Sequence, residues 1–225
     1  MTTRVGTGIS KLDDALRGGF PSDSVVLLSG SAGAGKTLIA LNYLLAGAEK
    51  GERCVYLSLG ESREELLRAC EGIDQLKKVA KHEGKNIIFL SAVMGEKITP
   101  AYFTRMVSTY RNIDRLVIDN LNRLLIFADG ENDYRKHLYD LSKHLRGKVK
   151  SSLLLSEADG SSNDDETVEA FESDGIVHLS FVELEEKPRR TLTVTKMRYT
   201  DFEPRVSHEL SITSKRIDLT GTTHV

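Results

Sequence analysis

Residues Ser24–Ala40 read SVVLLSGSAGAGKTLIA. An apolar run breaks at Gly30 into glycines and small residues, passes Lys36 and Thr37, and turns apolar again. Gly30, Gly35, Lys36 and Thr37 meet the spacing G-x-x-x-x-G-K-[ST]. The setting carries more weight than the letters, because the motif leaves a candidate buried strand and opens a candidate helix. Glycines let the backbone curl so that successive amides turn inward. A helix N-terminus adds unpaired amides and partial positive charge. Together these suit a polyphosphate. The candidate binding loop is therefore Gly30, Ser31, Ala32, Gly33, Ala34, Gly35, Lys36 and Thr37. Lys36 would reach the β- and γ-phosphates and the Thr37 hydroxyl would sit on magnesium. The implied cofactors are ATP and Mg2+.

Outward from this loop, short β-rich runs alternate with helical patterns. Strands are expected at 24–29, 54–59, 86–90, 115–119 and 151–155, each nearly all apolar, as in strands covered on both faces. Thr37 to Glu49 reads as a helix stopped by Gly51. SREELLRAC opens with a capping box, Ser62 and Glu65. In NDYRKHLYDLSKHLR, Tyr134, His137, Leu138, Leu141 and Leu145 recur at helical spacing. Ahead of the first strand, GTGISKLDDALRGGFP holds a short helix that Ser10 is expected to cap, with Asp13 reaching back. Near the end, GIVHLSFVELEEKPRRTLTVTKMR reads as two period-2 strands around EEKP, a hairpin extending the same sheet, and HELSIT adds another strand. The fold class is α/β, a mostly parallel sheet flanked by helices with a C-terminal antiparallel hairpin. One domain over 1–225 is expected.

RLVIDNL is a hydrophobic strand ending in Asp119. With a phosphate loop upstream, that carboxylate suits magnesium, directly or through water. The two cysteines, Cys54 and Cys70, sit in apolar surroundings without metal-type spacing, as expected of buried reduced thiols. The histidines make no compact ligand set. Charged residues are 28% of the chain and the net charge is -2, so no global basicity points to nucleic acid. No apolar run approaches the ~18 residues of a membrane span. A cytoplasmic protein is expected.

Taken together, GISKLDDALRGGFP, GSAGAGKT, RLVIDNL, LLLSE and TVTKMRYTD resemble the RecA/RadA superfamily, specifically its single-domain KaiC-like branch, which includes archaeal RadA paralogues. The resemblance covers nearly the whole chain. It implies a RecA-like sheet, and rings or filaments with ATP between neighbouring subunits. It also implies that a K-x-R pair, here Lys196 and Arg198, reaches the adjacent subunit's nucleotide. Residues two apart on a strand share a face, so both cations can point at one target. From there they could stabilise charge developing on the γ-phosphate.

Hydrolysing relatives carry a glutamate at the end of the second strand, often doubled. Here the segment reads YLSLGES, with Gly60 at the first position and Glu61 after it. Glycine cannot orient or activate water. Glu61 could serve only if the strand has ended by Leu59. Glu157, at the tip of LLLSE, is a second candidate, where relatives place a polar γ-phosphate sensor. The expectation is ATP binding with slow or partner-dependent hydrolysis in an oligomeric regulator or scaffold. The alternative is a DNA-binding recombinase paralogue in repair. The stretch 157–174, where DNA loops would lie, holds eight carboxylates and no Lys or Arg, which disfavours DNA. It reads as a solvated loop with one aromatic, Phe171. Arg105, Arg111, Arg115 and Arg123, and Lys187, Arg189 and Arg190 at the hairpin turn, read as scattered solvated cations.

Overall fold

The structure is a computed structural model that describes residues 3–91, 99–158, 167–184 and 187–223. In chain order its elements are β1 (Arg4–Val5), α1 (Ser10–Ala15), β2 (Phe20–Pro21), β3 (Ser24–Gly30), α2 (Lys36–Ala48), β4 (Cys54–Ser58) and α3 (Arg63–Glu71). After a 3-10 turn at Leu76–Lys78 come α4 (Val79–His82), β5 (Ile87–Ser91), α5 (Pro100–Thr109) and β6 (Arg115–Asp119). A longer 3-10 segment, Leu121–Phe127, leads to α6 (Glu131–Leu145), β7 (Ser151–Glu157) and α7 (Val168–Glu172). The chain closes with β8 (Gly175–Leu184), β9 (Lys187–Met197), β10 (Ser207–Ile212) and β11 (Ile217–Thr223).

Strands β11-β10-β9-β8-β3-β7-β6-β4-β5 form one sheet in that order. From β8 to β5 every neighbouring pair is parallel; β9, β10 and β11 pair antiparallel. The expected α/β class and C-terminal hairpin are observed. The hairpin extends the main sheet, with its first strand seated parallel beside β3.

The period of two along each strand divides the core into two halves. Val26, Leu28, Tyr56, Val117, Leu153 and Leu155 pack beneath α2 and α3. Val25, Leu27, Val55, Leu57, Ile118 and Leu154 pack on the opposite face against α5 and α6. Nearly continuous apolar strands follow from this double coverage. Cys54 and Cys70 are buried free thiols, and burial pushes them up to about 12 and about 11.

Several local expectations need correction. Ser10 is the first residue of α1 and gives no side-chain cap. Asp13 instead accepts from the Thr7 amide at 2.6 Å, and the Thr7 hydroxyl accepts from the Ile9 amide at 3.2 Å. The capping box at Ser62 and Glu65 forms as read. Lys187, Arg189 and Arg190 lie within β9, not in a turn, and Arg189 pairs with Glu209 at 2.8 Å. Strand β11 had no counterpart in the sequence reading; IDLTGTT lacks a strong apolar pattern, and pairing to β10 creates it.

Arg115 is the largest correction. It is fully buried, not solvated. Its guanidinium donates to Glu52 Oε2 at 2.5 Å and to the carbonyls of Gly6 and Tyr43 at 2.7 Å each, and stacks 4.7 Å from the Tyr43 ring centroid. A charge can sit in the core only when paired and hydrogen-bonded in this way.

Candidate functional site

Four adjacent strands, β3, β7, β6 and β4, end along one edge of the sheet. Register places Gly30 beside Glu157 and Ser58 beside Asp119. In open α/β sheets the carboxyl ends of the strands form the ligand crevice. Here the loop after Gly30, the Asp119 carboxylate, the turn at Gly60 and Glu61, and Glu157 share a cleft of about 500 Å³. Ala32, Gly33, Gly35, Lys36, Thr37 and Arg123 complete most of its lining.

The loop folds as its glycines require. Gly35 caps α2 in a left-handed conformation (φ 107°), which an L side chain rarely adopts. Helix α2 begins at Lys36, so its unpaired amides face the cleft. The Lys36 ammonium is buried in the loop and donates to the Gly30 carbonyl at 2.7 Å and the Ser31 carbonyl at 2.9 Å. Burial lowers its pKa, while Glu157 and Asp119 act to raise it.

Val117 points beneath α2, and Asp119, two residues on, shares that face and meets the first turn of the helix. Thr37 Oγ1 donates to Asp119 Oδ2 at 3.2 Å, and the Tyr56 hydroxyl donates to the same oxygen at 2.5 Å. Burial raises the Asp119 carboxyl above its usual range despite these bonds and the Lys36 charge. The Asn120 Oδ1 beside it is buried and has no hydrogen-bond partner among the described residues. A desolvated carboxylate, an adjacent hydroxyl and an orphaned acceptor form an all-oxygen set suited to a hydrated Mg2+. Thr37 and Asp119 would hold that cation, which would neutralise phosphate charge there.

Strand β4 ends at Ser58, and the Ser58 hydroxyl accepts from the amides of Gly60 (3.3 Å) and Glu61 (2.8 Å). Alternation of side chains therefore stops before Glu61, which turns into the cleft rim. That is the condition under which Glu61 could act. Burial, then the charges of Asp119 and Glu65, raises its carboxyl. Gly60 leaves a gap on the cleft wall, and the Arg123 guanidinium lies against it. A Cβ on Gly60 would stand 3.3 Å from Arg123 Nη2.

Glu157 lines the cleft, and Asn122 holds its backbone, accepting from the Glu157 amide at 2.8 Å and donating to its carbonyl at 3.2 Å. Tyr56, Asn122 and Arg123 were not singled out as site residues from sequence. Only Arg123 has a local signal, a basic residue four positions after Asp119.

Lys196 and Arg198 lie outside this cleft. Lys196 Nζ donates to the Ala170 carbonyl at 2.9 Å, and Arg198 Nη1 approaches Asp174 Oδ1 at 3.4 Å. Burial, then the Arg198 charge, lowers the Lys196 pKa. The two cations share one neighbourhood, as their spacing requires, but in their own chain that neighbourhood is the α7–Asp174 segment.

The acidic stretch 157–174 lies partly outside the described residues. Its described second half is structured rather than loop: α7 is capped by Thr167, Glu169 accepts from the Tyr134 hydroxyl at 2.5 Å, and Asp174 is buried against Arg146 at 3.0 Å. Phe171 is 58% exposed, with Arg135 5.8 Å from its ring centroid. No described helix is long and apolar enough to cross a membrane.

Comparison with known proteins agrees with this geometry. A family profile described as KaiC, an ATPase, matches residues 5–223. The chain is 29% identical to circadian clock protein KaiC3 of Synechocystis; the match takes in 87% of this chain and 39% of that protein. The chain thus spans well under half of that relative. It is 28% identical to a UPF0273 protein of Thermotoga maritima, with 96% of each chain covered. The crystal structure of a KaiC-like protein from Pyrococcus horikoshii superposes with a TM-score of 0.81 at 28% identity, over 98% of this chain and all of that one.

Proposed function

This chain belongs to the KaiC family of ATPases, and from that premise we propose that it is an oligomeric, nucleotide-dependent regulator or scaffold that binds Mg-ATP in the cleft and hydrolyses it slowly or only with a partner. The observation that carries the reading is the meeting of Lys36, Thr37 and Asp119 in a cleft whose wall has glycine at position 60. The loop amides and the Lys36 ammonium hold phosphate oxygens. Thr37 and Asp119 place the cation. Glu61 is the carboxylate positioned to take a proton from attacking water, and Glu157 is the polar group beside the γ-phosphate. A general base contributes roughly 10²–10⁴ in rate, so a cleft with one rim carboxylate and no side chain at position 60 supports slow turnover.

Lys196 and Arg198 serve the neighbouring subunit's nucleotide. Their partners in this chain are a carbonyl and the Asp174 carboxylate, which Arg146 also pairs at 3.0 Å, so Asp174 keeps a cation when Arg198 turns to phosphate. The ATP-bound state then orders an interface between subunits.

The test is to size the protein with ADP, ATP and a non-hydrolysable analogue while measuring phosphate release. Triphosphate-dependent assembly with little release is the expected result. Brisk release, or a size that ignores nucleotide, rejects the reading.

A further inference from the structure

We propose that Arg123 is a ligand of the terminal phosphate of a nucleoside triphosphate bound in its own subunit's cleft, admitted there by the missing side chain at Gly60. The inference rests on the nucleotide reading above and adds which residue senses the third phosphate.

The charges around the cleft locate the need. Its lining carries three carboxylates, Glu61, Asp119 and Glu157, and two cations, Lys36 and Arg123. Lys36 sits deep in the loop, held by Gly30 and Ser31. From the loop side it reaches the β- and γ-phosphates. The outer end faces the turn of Gly60 and Glu61, where Glu61 and Glu157 repel an anion. Arg123 is the cation among the lining residues on that side.

The backbone aims it there. Arg123 lies in the 3-10 segment that follows Asp119, and its amide donates to the Asn120 carbonyl at 3.3 Å. Leu121 and Leu124 on either side are buried, 0% and 2% exposed, and anchor the segment. Of the two residues between them, Asn122 holds the Glu157 backbone and Arg123 is exposed on the cleft wall. Its guanidinium is exposed and makes no hydrogen bond or ion pair among the described residues. It packs against the place of a side chain at position 60: a Cβ there would be 3.3 Å from Nη2, 3.6 Å from Nε and 3.7 Å from Cζ. A planar fork of donors suits two oxygens of one phosphate. The exchange has a chemical sense. A cation in this position strengthens the grip on an uncleaved γ-phosphate and supplies no base to activate water.

The test is calorimetry on the full chain with Mg-ADP and with Mg2+ plus the β,γ-imido analogue of ATP, at 0.15 M salt. Wild type should prefer the triphosphate analogue. Arg123→Ala should lower triphosphate affinity about ten- to a hundredfold, the scale of one charge-assisted hydrogen-bonded contact, and leave ADP affinity within about twofold. Arg123→Lys should fall between. Gly60→Val, whose side chain crowds the guanidinium from the wall, should shift the preference in the same direction as Arg123→Ala. Equal losses for both nucleotides, or no loss for either, overturns the proposal and leaves the nucleotide site intact. No heat from wild type with either nucleotide overturns the site reading and this proposal with it. Arg123 is exposed, so the two Arg123 variants should melt with wild type.

Discussion

The Tyr56 hydroxyl donates to Asp119 Oδ2 at 2.5 Å, across two neighbouring parallel strands. The bond joins a core tyrosine to the carboxylate best placed to hold a cation. It orients Asp119 without neutralising it, and burial still raises the Asp119 pKa.

That direction sets the effect of removing the charge. A carboxyl whose folded pKa exceeds its unfolded value favours folding fully below the unfolded pKa and loses that contribution as pH rises through the folded pKa. At neutral pH, ionised Asp119 therefore opposes folding of the nucleotide-free protein. Asp119→Asn should raise the nucleotide-free melting temperature at pH 7 by about 2–4 °C, the scale of 1 kcal/mol in a chain of this size. The gain should shrink as pH falls toward about 4. The same variant should lose the Mg2+ dependence of nucleotide binding. Melting curves across pH, with calorimetry plus and minus Mg2+, test both halves; a lower melting temperature at every pH contradicts the first.

Glu61 should govern whatever hydrolysis occurs. Glu61→Gln should reduce phosphate release by about 10²-fold or more while nucleotide affinity holds. Because burial and neighbouring charges raise its pKa, the wild-type rate should climb with pH through a value above the usual ~4.3. Gly60→Glu should raise turnover in the assembled protein at saturating nucleotide by restoring a carboxylate at the first position, while crowding Arg123 as Gly60→Val does. A steady-state phosphate assay checks all three; an unchanged rate in Glu61→Gln assigns the base elsewhere.

The buried Arg115 gives a prediction whose sign runs against helix propensity. Gly-to-Ala inside a helix ordinarily stabilises by about 0.5–1 kcal/mol. Gly47 lies in α2, and a Cβ there would meet Arg115 Cδ at 2.6 Å. Gly47→Ala should therefore destabilise. Arg115→Leu removes one of the two cations that pair Glu52, leaving Lys150 at 2.8 Å, and should cost about 1–3 kcal/mol. Burial pushes the Glu52 carboxyl up, but hydrogen bonds from Lys150 and Arg115 prevail and hold it below its usual range. Its contribution is present above the unfolded pKa and lost as pH falls through the folded one. Arg115→Leu should flatten the loss of stability below about pH 4. Urea melts at pH 3–8 measure it.

Lys196 and Arg198 can be assigned by mixing. The Arg198–Asp174 pair is 3.4 Å apart with Arg198 half exposed, so Arg198→Ala should cost under about 1 kcal/mol of stability. Its phosphate release in the assembled state should nevertheless fall at least tenfold. Lys36→Ala should bind no nucleotide. A mixture of these two inactive proteins should recover activity, since Lys36→Ala subunits lend their Arg198 to neighbours with intact loops. No recovery in a demonstrated mixed assembly removes the cations from the neighbour's site.

Much of the fold could be read from the chain because parallel strands buried on both faces are locally apolar, and because the phosphate loop is built from contiguous residues. The helix after Gly35, the capping box at Ser62 and the strand ending in Asp119 each follow from interactions spanning a few positions. Strand β11 escaped because its partner, β10, defines it.

Local sequence is enough to specify the phosphate cradle, since glycine conformation, helix start and Lys36 lie within one short segment. Tertiary structure alone decided which distant side chains face that cradle. Strand register put Tyr56 against Asp119, the early end of β4 turned Glu61 to the cleft rim, and the bare wall at Gly60 lies against Arg123. The same is true of Arg115, whose charge reads as surface in one dimension and is buried in three. Contacts between residues tens of positions apart depend on where strands stop and how they pair, and no local pattern encodes either.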